Sequence, residues 1–118
     1  MTDMILVYVT CKDVEQAKFI GKALLDKRLC TCINVIPGMK SLYFWPPKTG
    51  EFEEANEVIL IIKSLESKYQ EIEDEVGKLH TSDTPCIFSW KIDHVTPKYY
   101  EWLMGELGVL LIHVWRQV

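Results

Sequence analysis

The 118-residue sequence has no apolar run that approaches the ~18–20 residues needed to cross a bilayer. Its first residues lack the basic segment and the long apolar stretch of a secretory signal. Positive charge is scarce as well: 13 lysines and arginines face 17 aspartates and glutamates, for a formal net charge of −4. A net acidic surface does not attract phosphate backbones. We therefore expect no membrane span, no nucleic-acid partner and a cytoplasmic location.

Cysteine is present, but not in the pattern of a disulfide scaffold or a closed zinc site. The four cysteines include one Cys-x-Cys pair, Cys30 and Cys32, and no second pair of this kind. A reduced chain fits this usage better than disulfides do. On a strand, positions i and i+2 share a face, so the pair could bind a soft metal such as Cu(I) or zinc. The alternative, which the residue type favours, is two small buried hydrophobic side chains.

The length suits one domain, and the 48% hydrophobic and 25% charged residues are close to globular averages. Residues 5–9 form a continuous apolar run rich in β-branched side chains, typical of a central strand. Asp13 and Gln16 fit a capping box that begins a helix. We expect this helix to reach Arg28, with the cationic Lys27 and Arg28 in its last turn.

Two strands joined by a turn come next. Residues 30–36 and 39–45 have strand patterns, and Pro37-Gly38 marks a bend or bulge between them. Residues 46–50 form a turn, and the following strand ends in the apolar run 58–62. The pattern predicts a long hairpin.

The last part predicts two helices around a further strand. An amphipathic stripe begins near Ser64 and is closed by His80. Residues 86–93 alternate as a strand, and Thr96 followed by Pro97 is typical of a helix start. The order β-α-β-β-α-β-α predicts an α+β protein, a ferredoxin-like βαββαβ sandwich with an extra C-terminal helix and an apolar tail.

The tail has seven aliphatic or tryptophan side chains within residues 108–118. That is too much apolar surface to leave in water unexplained. The tail either extends the third helix or forms an added strand over 109–115. We divide the chain into a domain over 1–107 and a C-terminal tail over 108–118, and expect the tail to pack on its own subunit or on a neighbour.

Six segments form an ordered set along the chain. They are Val7-Tyr8-Val9-Thr10; Cys32-Ile33-Asn34-Val35-Ile36-Pro37-Gly38; Ser41-Leu42-Tyr43-Phe44-Trp45; Glu57 before the apolar run into Lys63-Ser64; His80 ahead of Thr84-Pro85; and Tyr100-Glu101-Trp102-Leu103. In this order and spacing, from about Met4 to Leu107, they resemble the CutA family of divalent-cation tolerance proteins.

The resemblance implies a homotrimer of ferredoxin-like subunits, similar in shape to the PII-type signalling trimers. The long hairpin strands would pair between subunits and cover sheet edges that apolar strands leave open. It also implies a non-enzymatic protein linked to tolerance of divalent metal ions such as copper. The loop after the second helix departs from the family pattern, because Ser82 stands where tyrosine is usual. We therefore expect no ligand contact through a tyrosine ring at this position.

The resemblance places a ligand cleft between subunits. Its candidate residues are Ser41, Tyr43, Trp45, Glu57, Lys63 and His80. Six residues of extended strand span about 20 Å, so Glu57 and Lys63 cannot touch within one strand. Their charges could meet only across strands or subunits. The alternative is that both residues cap the trimer interface.

A metal ion, copper or another divalent cation, is a further candidate ligand. His80 could bind it through a neutral imidazole, with Cys32 as the soft partner if the fold brings the two together. The alternative, which we favour, is that His80 satisfies carbonyl groups at the C-terminal end of its helix.

Two other functions remain open, an enzyme and a scaffold. The sequence shows no nucleophile paired with a base and an orienting group, and no phosphate-binding loop. An acyl-phosphate hydrolase of this fold would need an arginine in a glycine-rich first loop, and residues 10–13 contain neither. A trimeric scaffold that presents surfaces to a partner is suggested by the apolar tail. We expect a binding function without catalysis.

Overall fold

The apolar strands predicted from the sequence pair into one antiparallel sheet with the order β2-β3-β1-β4. The computed structural model describes residues 2–108. Its elements are β1 (Met4–Cys11), α1 (Val14–Asp26), β2 (Cys32–Phe44), β3 (Phe52–Leu65), a 3-10 turn (Glu66–Lys68), α2 (Tyr69–Leu79), β4 (Ile87–Lys91) and α3 (Pro97–Glu106). This arrangement confirms the predicted α+β, ferredoxin-like fold. In the part of the chain that is described, no helix has the length and apolar character needed to cross a membrane.

Strand β1 lies in the middle of the sheet, between β3 and β4. Its residues Ile5, Val7 and Val9 are fully buried in the main core cluster, together with Ile20 of α1 and Ile72 of α2. The intervening side chains of β1 point to the other side, where they are only half-buried. The helices α1 and α2 therefore cover one face of the sheet. We call the other face, which carries the side chains of Tyr8 and Thr10, the open face.

Helix α1 begins as predicted and ends earlier. The Asp13 carboxylate accepts a hydrogen bond from the Gln16 amide at 2.8 Å, and the Gln16 side chain accepts one from the Lys12 amide at 2.8 Å. The helix ends at Asp26, so the prediction that Lys27 and Arg28 lie in its last turn is wrong. Arg28 has a φ of +55°, which a continuing helix does not allow.

Strand β2 runs through the predicted bulge. The register with β3 shifts between Ile36 and Met39, and Gly38 has a φ of +86°, a conformation that glycine adopts without strain. Beyond this bulge, residues 39–44 and 52–57 continue as a two-stranded arm, and the molecule measures 54 × 26 × 24 Å. The predicted long hairpin is confirmed.

Three predicted boundaries are wrong, because tertiary contacts decide them. Cys30 precedes β2, so it does not share a strand face with Cys32. Ser64 belongs to β3, where its buried hydroxyl donates to the Leu29 carbonyl at 2.6 Å. The second helix consequently begins at Tyr69 rather than near Ser64.

The C-terminal part differs from the predictions in smaller ways. Strand β4 is shorter than the predicted 86–93. Pro97 occupies the first turn of α3 as predicted, but the Thr96 side chain makes no capping hydrogen bond. Helix α3 ends at Glu106, and Gly108 has a φ of +78°. The alternatives for the tail, a longer helix or a strand over 109–115, fall on residues outside those described.

Candidate functional site

A cleft of about 380 Å³ lies between the arm and the segment that follows α2. Its lining residues are Thr10, Ser41, Tyr43, Trp45, Glu57, His80, Ser82, Thr84, Pro85 and Cys86. The structure thus brings together five of the six predicted cleft residues, which are Ser41, Tyr43, Trp45, Glu57 and His80. They come from β2, β3 and the end of α2, so the hairpin register and the end of that helix position them.

One wall of the cleft is a face of the arm. The register pairs Tyr43 with Glu53 and Met39 with Glu57, so Ser41, Tyr43 and Glu57 share one face. The Tyr43 hydroxyl donates to the Glu53 carboxylate at 3.4 Å. Desolvation and then the negative charges of Glu53 and Glu57 raise the pKa of Tyr43. This wall therefore combines an aromatic ring with a negative potential.

The opposite wall is held in place by His80. The ring Nδ1 of His80 accepts a hydrogen bond from the Ser82 amide at 3.0 Å. Its Nε2 therefore carries the proton and donates to the Thr10 carbonyl at 2.8 Å. The Ser82 hydroxyl in turn accepts from the Thr84 amide at 3.1 Å. Both ring nitrogens therefore fix the loop onto the end of β1. The ring does satisfy a carbonyl group, as in the alternative that we favoured, but this carbonyl belongs to strand β1 and not to the end of the histidine's own helix.

Gln16 adds a second anchor to the same loop. Its side-chain amide donates to the Thr81 hydroxyl at 2.9 Å while its carbonyl oxygen accepts from the Lys12 amide. Gln16 is a buried polar residue of α1. The sequence marks it only as a helix-capping residue, so its role in supporting the cleft emerges from the structure alone.

Lys63, the sixth predicted residue, does not line the cleft within the single chain, and its place in a cleft between subunits stays a prediction. It pairs with Cys32 on one side and with Leu6 on the other, six residues along β3 from Glu57. Its ammonium group lies 5.8 Å from the centre of the Tyr99 ring, within cation–π range. Within one subunit, Lys63 and Glu57 are therefore separated by about 20 Å of strand.

The suggested metal ligands Cys32 and His80 are not brought together within the chain. Cys32 faces Lys63, whereas Thr10, which His80 contacts, pairs with Ile59. Four residues of strand separate these positions by about 13 Å. Among residues 2–108, no group of three or more His, Cys, Asp and Glu side chains could hold a metal ion.

Cys86 is one of five cleft residues that the predicted set did not contain; the other four are Thr10, Ser82, Thr84 and Pro85. It is exposed, lines the cleft, and its carbonyl accepts a hydrogen bond from the Thr10 amide at 3.3 Å. Its position directly after Thr84-Pro85 is the feature of the sequence that could have identified it. By contrast, Cys11 and Cys30 are buried, and burial is the main cause that raises their pKa to about 11 and about 12. These two thiols are packing residues, because a buried thiol with a raised pKa is unreactive.

Replacing His80 with alanine is expected to loosen the loop wall. The Ser82 amide loses its acceptor, so its hydrogen exchange should speed up by about tenfold, the equivalent of one hydrogen bond. Amide exchange measured by NMR checks this, with His94→Ala as the control because His94 is an exposed histidine outside the cleft. Unchanged exchange at Ser82 would contradict the anchoring role.

Comparison of the sequence with known proteins gives a consistent result. The profile of the family described as CutA1 divalent ion tolerance protein matches residues 5–106. The divalent-cation tolerance protein CutA of Thermotoga maritima is 41% identical over 100 residues, covering 85% of this chain and 95% of that protein. Its counterpart of the same name in Archaeoglobus fulgidus is 35% identical over 97 residues, covering 82% of this chain and 91% of that protein.

Solved structures agree with the sequence matches. The periplasmic divalent cation tolerance protein CutA from Archaeoglobus fulgidus superimposes with a TM-score of 0.83 at 33% identity, covering 88% of this chain and 98% of that one. The divalent cation tolerance protein from Thermus thermophilus gives a TM-score of 0.83 at 31% identity, covering 89% and 99%. Fold and sequence therefore point to the same group of proteins.

Proposed function

Because the chain belongs to the CutA1 divalent ion tolerance family, we propose that it acts as a non-enzymatic homotrimer whose clefts each hold a small ligand. The names of its relatives support a role in tolerance of divalent cations. The trimeric assembly, the ligand in the cleft and the absence of catalysis go beyond what these names say. A cytoplasmic location remains part of it and is open to test by cell fractionation.

The proposed assembly is supported by exposed apolar surface on two different parts of the chain. On the open face, Tyr8 stacks on Phe88 with ring centroids 4.7 Å apart, and the edge of Trp90 meets both rings. On the arm, Phe44 and Phe52 face each other across the two strands and are 78% and 66% exposed. Surface of this kind is typical of protein–protein contacts.

The two apolar surfaces favour a closed ring over a two-fold dimer. We call the face of the arm that carries Leu42, Phe44 and Phe52 its outer face; the cleft residues lie on the opposite face. If the outer face of one copy covers a different surface on the next copy, the contact is heterologous, and heterologous contacts form a closed ring when the rotation between copies closes. Among residues 2–108, strands β2 and β4 also leave both sheet edges unpaired. The number three comes from the family resemblance.

The chemistry of the cleft supports binding rather than catalysis. His80 uses both ring nitrogens in hydrogen bonds to the backbone, so it is not free to take a proton from Cys86 or Ser82. A nucleophilic mechanism would need such a base within hydrogen-bond reach. A cleft with aromatic and hydroxyl side chains and few charges is instead the usual composition of a small-molecule site.

Direct binding of copper or another divalent cation is a separate part of the proposal. Because Cys32 and His80 lie apart within the described residues, an ion bound by both would take one of them from a second chain. Titration of the protein with Cu(II), Cu(I) and Zn(II) tests this. A dissociation constant no tighter than ~10 μM, roughly −7 kcal/mol, would exclude direct metal binding at a functional level.

Native mass spectrometry of the protein purified without added metal tests the assembly and the cleft together. We expect the mass of three chains of 13.7 kDa each. Additional mass on the trimer would identify a ligand class. A monomer at all concentrations would contradict the proposal.

A further inference from the structure

Two shallow grooves meet at Trp102, near the end of α3. One has a volume of about 340 Å³ and is lined by Lys98, Glu101, Trp102, Gly105 and Glu106. The other has a volume of about 290 Å³ and is lined by Leu25, Asp26, Arg28, Cys30, Thr31, Trp102 and Glu106. Trp102 and Leu25 are 46% and 36% exposed, and Trp102 belongs to neither core cluster. The grooves therefore offer apolar surface and room for further side chains against it.

The backbone at the end of α3 directs the chain towards these grooves. Gly108 has a φ of +78°, and its amide donates to the Gly105 carbonyl at 3.2 Å. A glycine in this conformation with this hydrogen bond is one half of the Schellman motif. In that motif the residue after the glycine makes an apolar contact with the last turn of its own helix. The sequence has the apolar Val109 at this position.

The chain after Gly108 is long enough to reach both grooves. Residues 109–118 span at most about 33 Å when extended. Helix α3 has 10 residues, which is about 15 Å. Trp102 precedes Gly108 by six residues, or about 9 Å along the helix axis. Three or four residues of returning chain therefore reach the indole, and the first four, residues 109–112, are all aliphatic.

The composition of the tail also matches this surface. An aliphatic run such as 109–112 needs a surface that removes it from water. The run begins beyond the end of the matching CutA1 profile at residue 106, so the family pattern does not account for it. Acidic side chains outnumber basic ones around the grooves: Asp26, Glu101 and Glu106 against Lys98 and Arg28. Arg116 is the one formally charged residue among 109–118 and suits this excess of negative charge.

We propose that residues 109–115 fold back along α3 of their own chain and cover Trp102 and Leu25. The covalent connection favours this occupant over a neighbouring copy, because Gly105 and Glu106 line the grooves and the tail begins directly after them. A short connection of this kind gives an effective concentration in the millimolar range. The cover goes beyond the proposed function, since it depends neither on the cleft nor on the number of subunits.

Nuclear Overhauser effects measured on the full chain test the contact and its origin. We expect cross-peaks between the Trp102 indole and the methyl groups of residues 109–112. A mixture of isotope-labelled and unlabelled chains, reassembled before measurement, separates contacts within one chain from contacts between copies. Cross-peaks that arise only between chains would assign the surface to a neighbouring copy and overturn the proposal. The absence of any cross-peak from the Trp102 indole to the tail would overturn it as well.

Removal of the indole tests whether Trp102 holds the tail. In Trp102→Ala, we expect the backbone amides of residues 109–115 to exchange at least about tenfold faster than in the wild-type chain. Phe19→Ala is the matched control, because Phe19 is an exposed aromatic residue of α1 that lines neither groove. Circular dichroism melting checks that both variants fold, as expected for a side chain outside the core clusters. Equal exchange rates in both variants would contradict the cover.

The reverse change tests the same contact from the side of the tail. Leu110→Ser combined with Leu111→Ser removes two aliphatic side chains from the run without shortening the chain. We expect the Trp102 indole to become more accessible, so that its ring N–H exchanges at least about tenfold faster, while that of Trp90 on the open face is unchanged. An unchanged Trp102 indole would show that something other than the tail covers it, and would overturn the proposal.

Discussion

Replacing Phe44 with lysine is expected to convert the proposed trimer into monomers. Phe44 is at the end of β2, opposite Phe52, and is 78% exposed in the single chain. Burying a phenylalanine on assembly contributes about 1.5–3 kcal/mol, and burying an unpaired lysine instead carries a large desolvation penalty. A ring repeats this change at each of its interfaces, so the effects accumulate. Native mass spectrometry and light scattering give the oligomeric state directly.

The control for this experiment is Phe19→Lys. Phe19 is on α1 and is 60% exposed, so the chemical change is the same on a surface that the proposed assembly does not use. We expect this variant to remain trimeric. Phe44 belongs to neither core cluster, so the monomer should keep its circular dichroism spectrum. A trimer in both variants, at concentrations where the wild-type protein is trimeric, would show that the arm is not part of the interface.

Adding one methyl group at Gly21 is expected to destabilise the fold, although alanine normally stabilises a helix. Gly21 lies in α1 where the helix crosses β2. A Cβ at this position would overlap Cδ1 of Ile33 and lie 3.2 and 3.3 Å from its Cγ1 and Cγ2. Overpacking of this kind costs about 1–3 kcal/mol, which exceeds the gain of about 1 kcal/mol in helix propensity. The free energy of unfolding of Gly21→Ala should therefore fall.

Gly77 provides the matched control within the same protein. It lies in α2, is exposed, and a Cβ there would meet nothing within 4 Å. Gly77→Ala should raise the free energy of unfolding by about 0.5–1 kcal/mol. Urea denaturation at one fixed protein concentration compares the variants, because the stability of an oligomer depends on concentration. Ile33→Val, which removes Cδ1, should restore part of the loss in Gly21→Ala. Equal shifts for both glycines would contradict the close packing of α1 on β2.

Some features of the arm and the cleft depend only on residues that are neighbours in the sequence. Ser41, Tyr43 and Trp45 were placed in the cleft by the family resemblance, and all three line it. Their spacing of two along the arm puts them on a common face. The bulge at Pro37-Gly38 was equally visible, because glycine there permits a positive φ that other residues rarely adopt. Such features depend on a few neighbouring residues, so the sequence carries them directly.

Contacts between segments that are far apart in the chain could not be predicted from such local patterns. The ring of His80 is fixed to the Thr10 carbonyl, 70 residues earlier in the chain. Cys86 enters the cleft because its backbone pairs with Thr10, whereas Cys32, the more conspicuous cysteine, lies further along the sheet. No periodicity predicts which of several cysteines lies next to a given backbone amide of a neighbouring strand.

By itself, the sequence determined the order of the elements, the long hairpin, the capping of α1 and the family to which the chain belongs. These follow from side-chain periodicity, from turn chemistry and from an ordered set of segments. Only the tertiary structure decided that β3 continues through Ser64, that Cys86 lines the cleft, and that His80 is an anchor of the cleft wall. The physical reason is that each of these depends on hydrogen bonds or strand register between segments far apart in the chain, and only the folded backbone specifies those pairings.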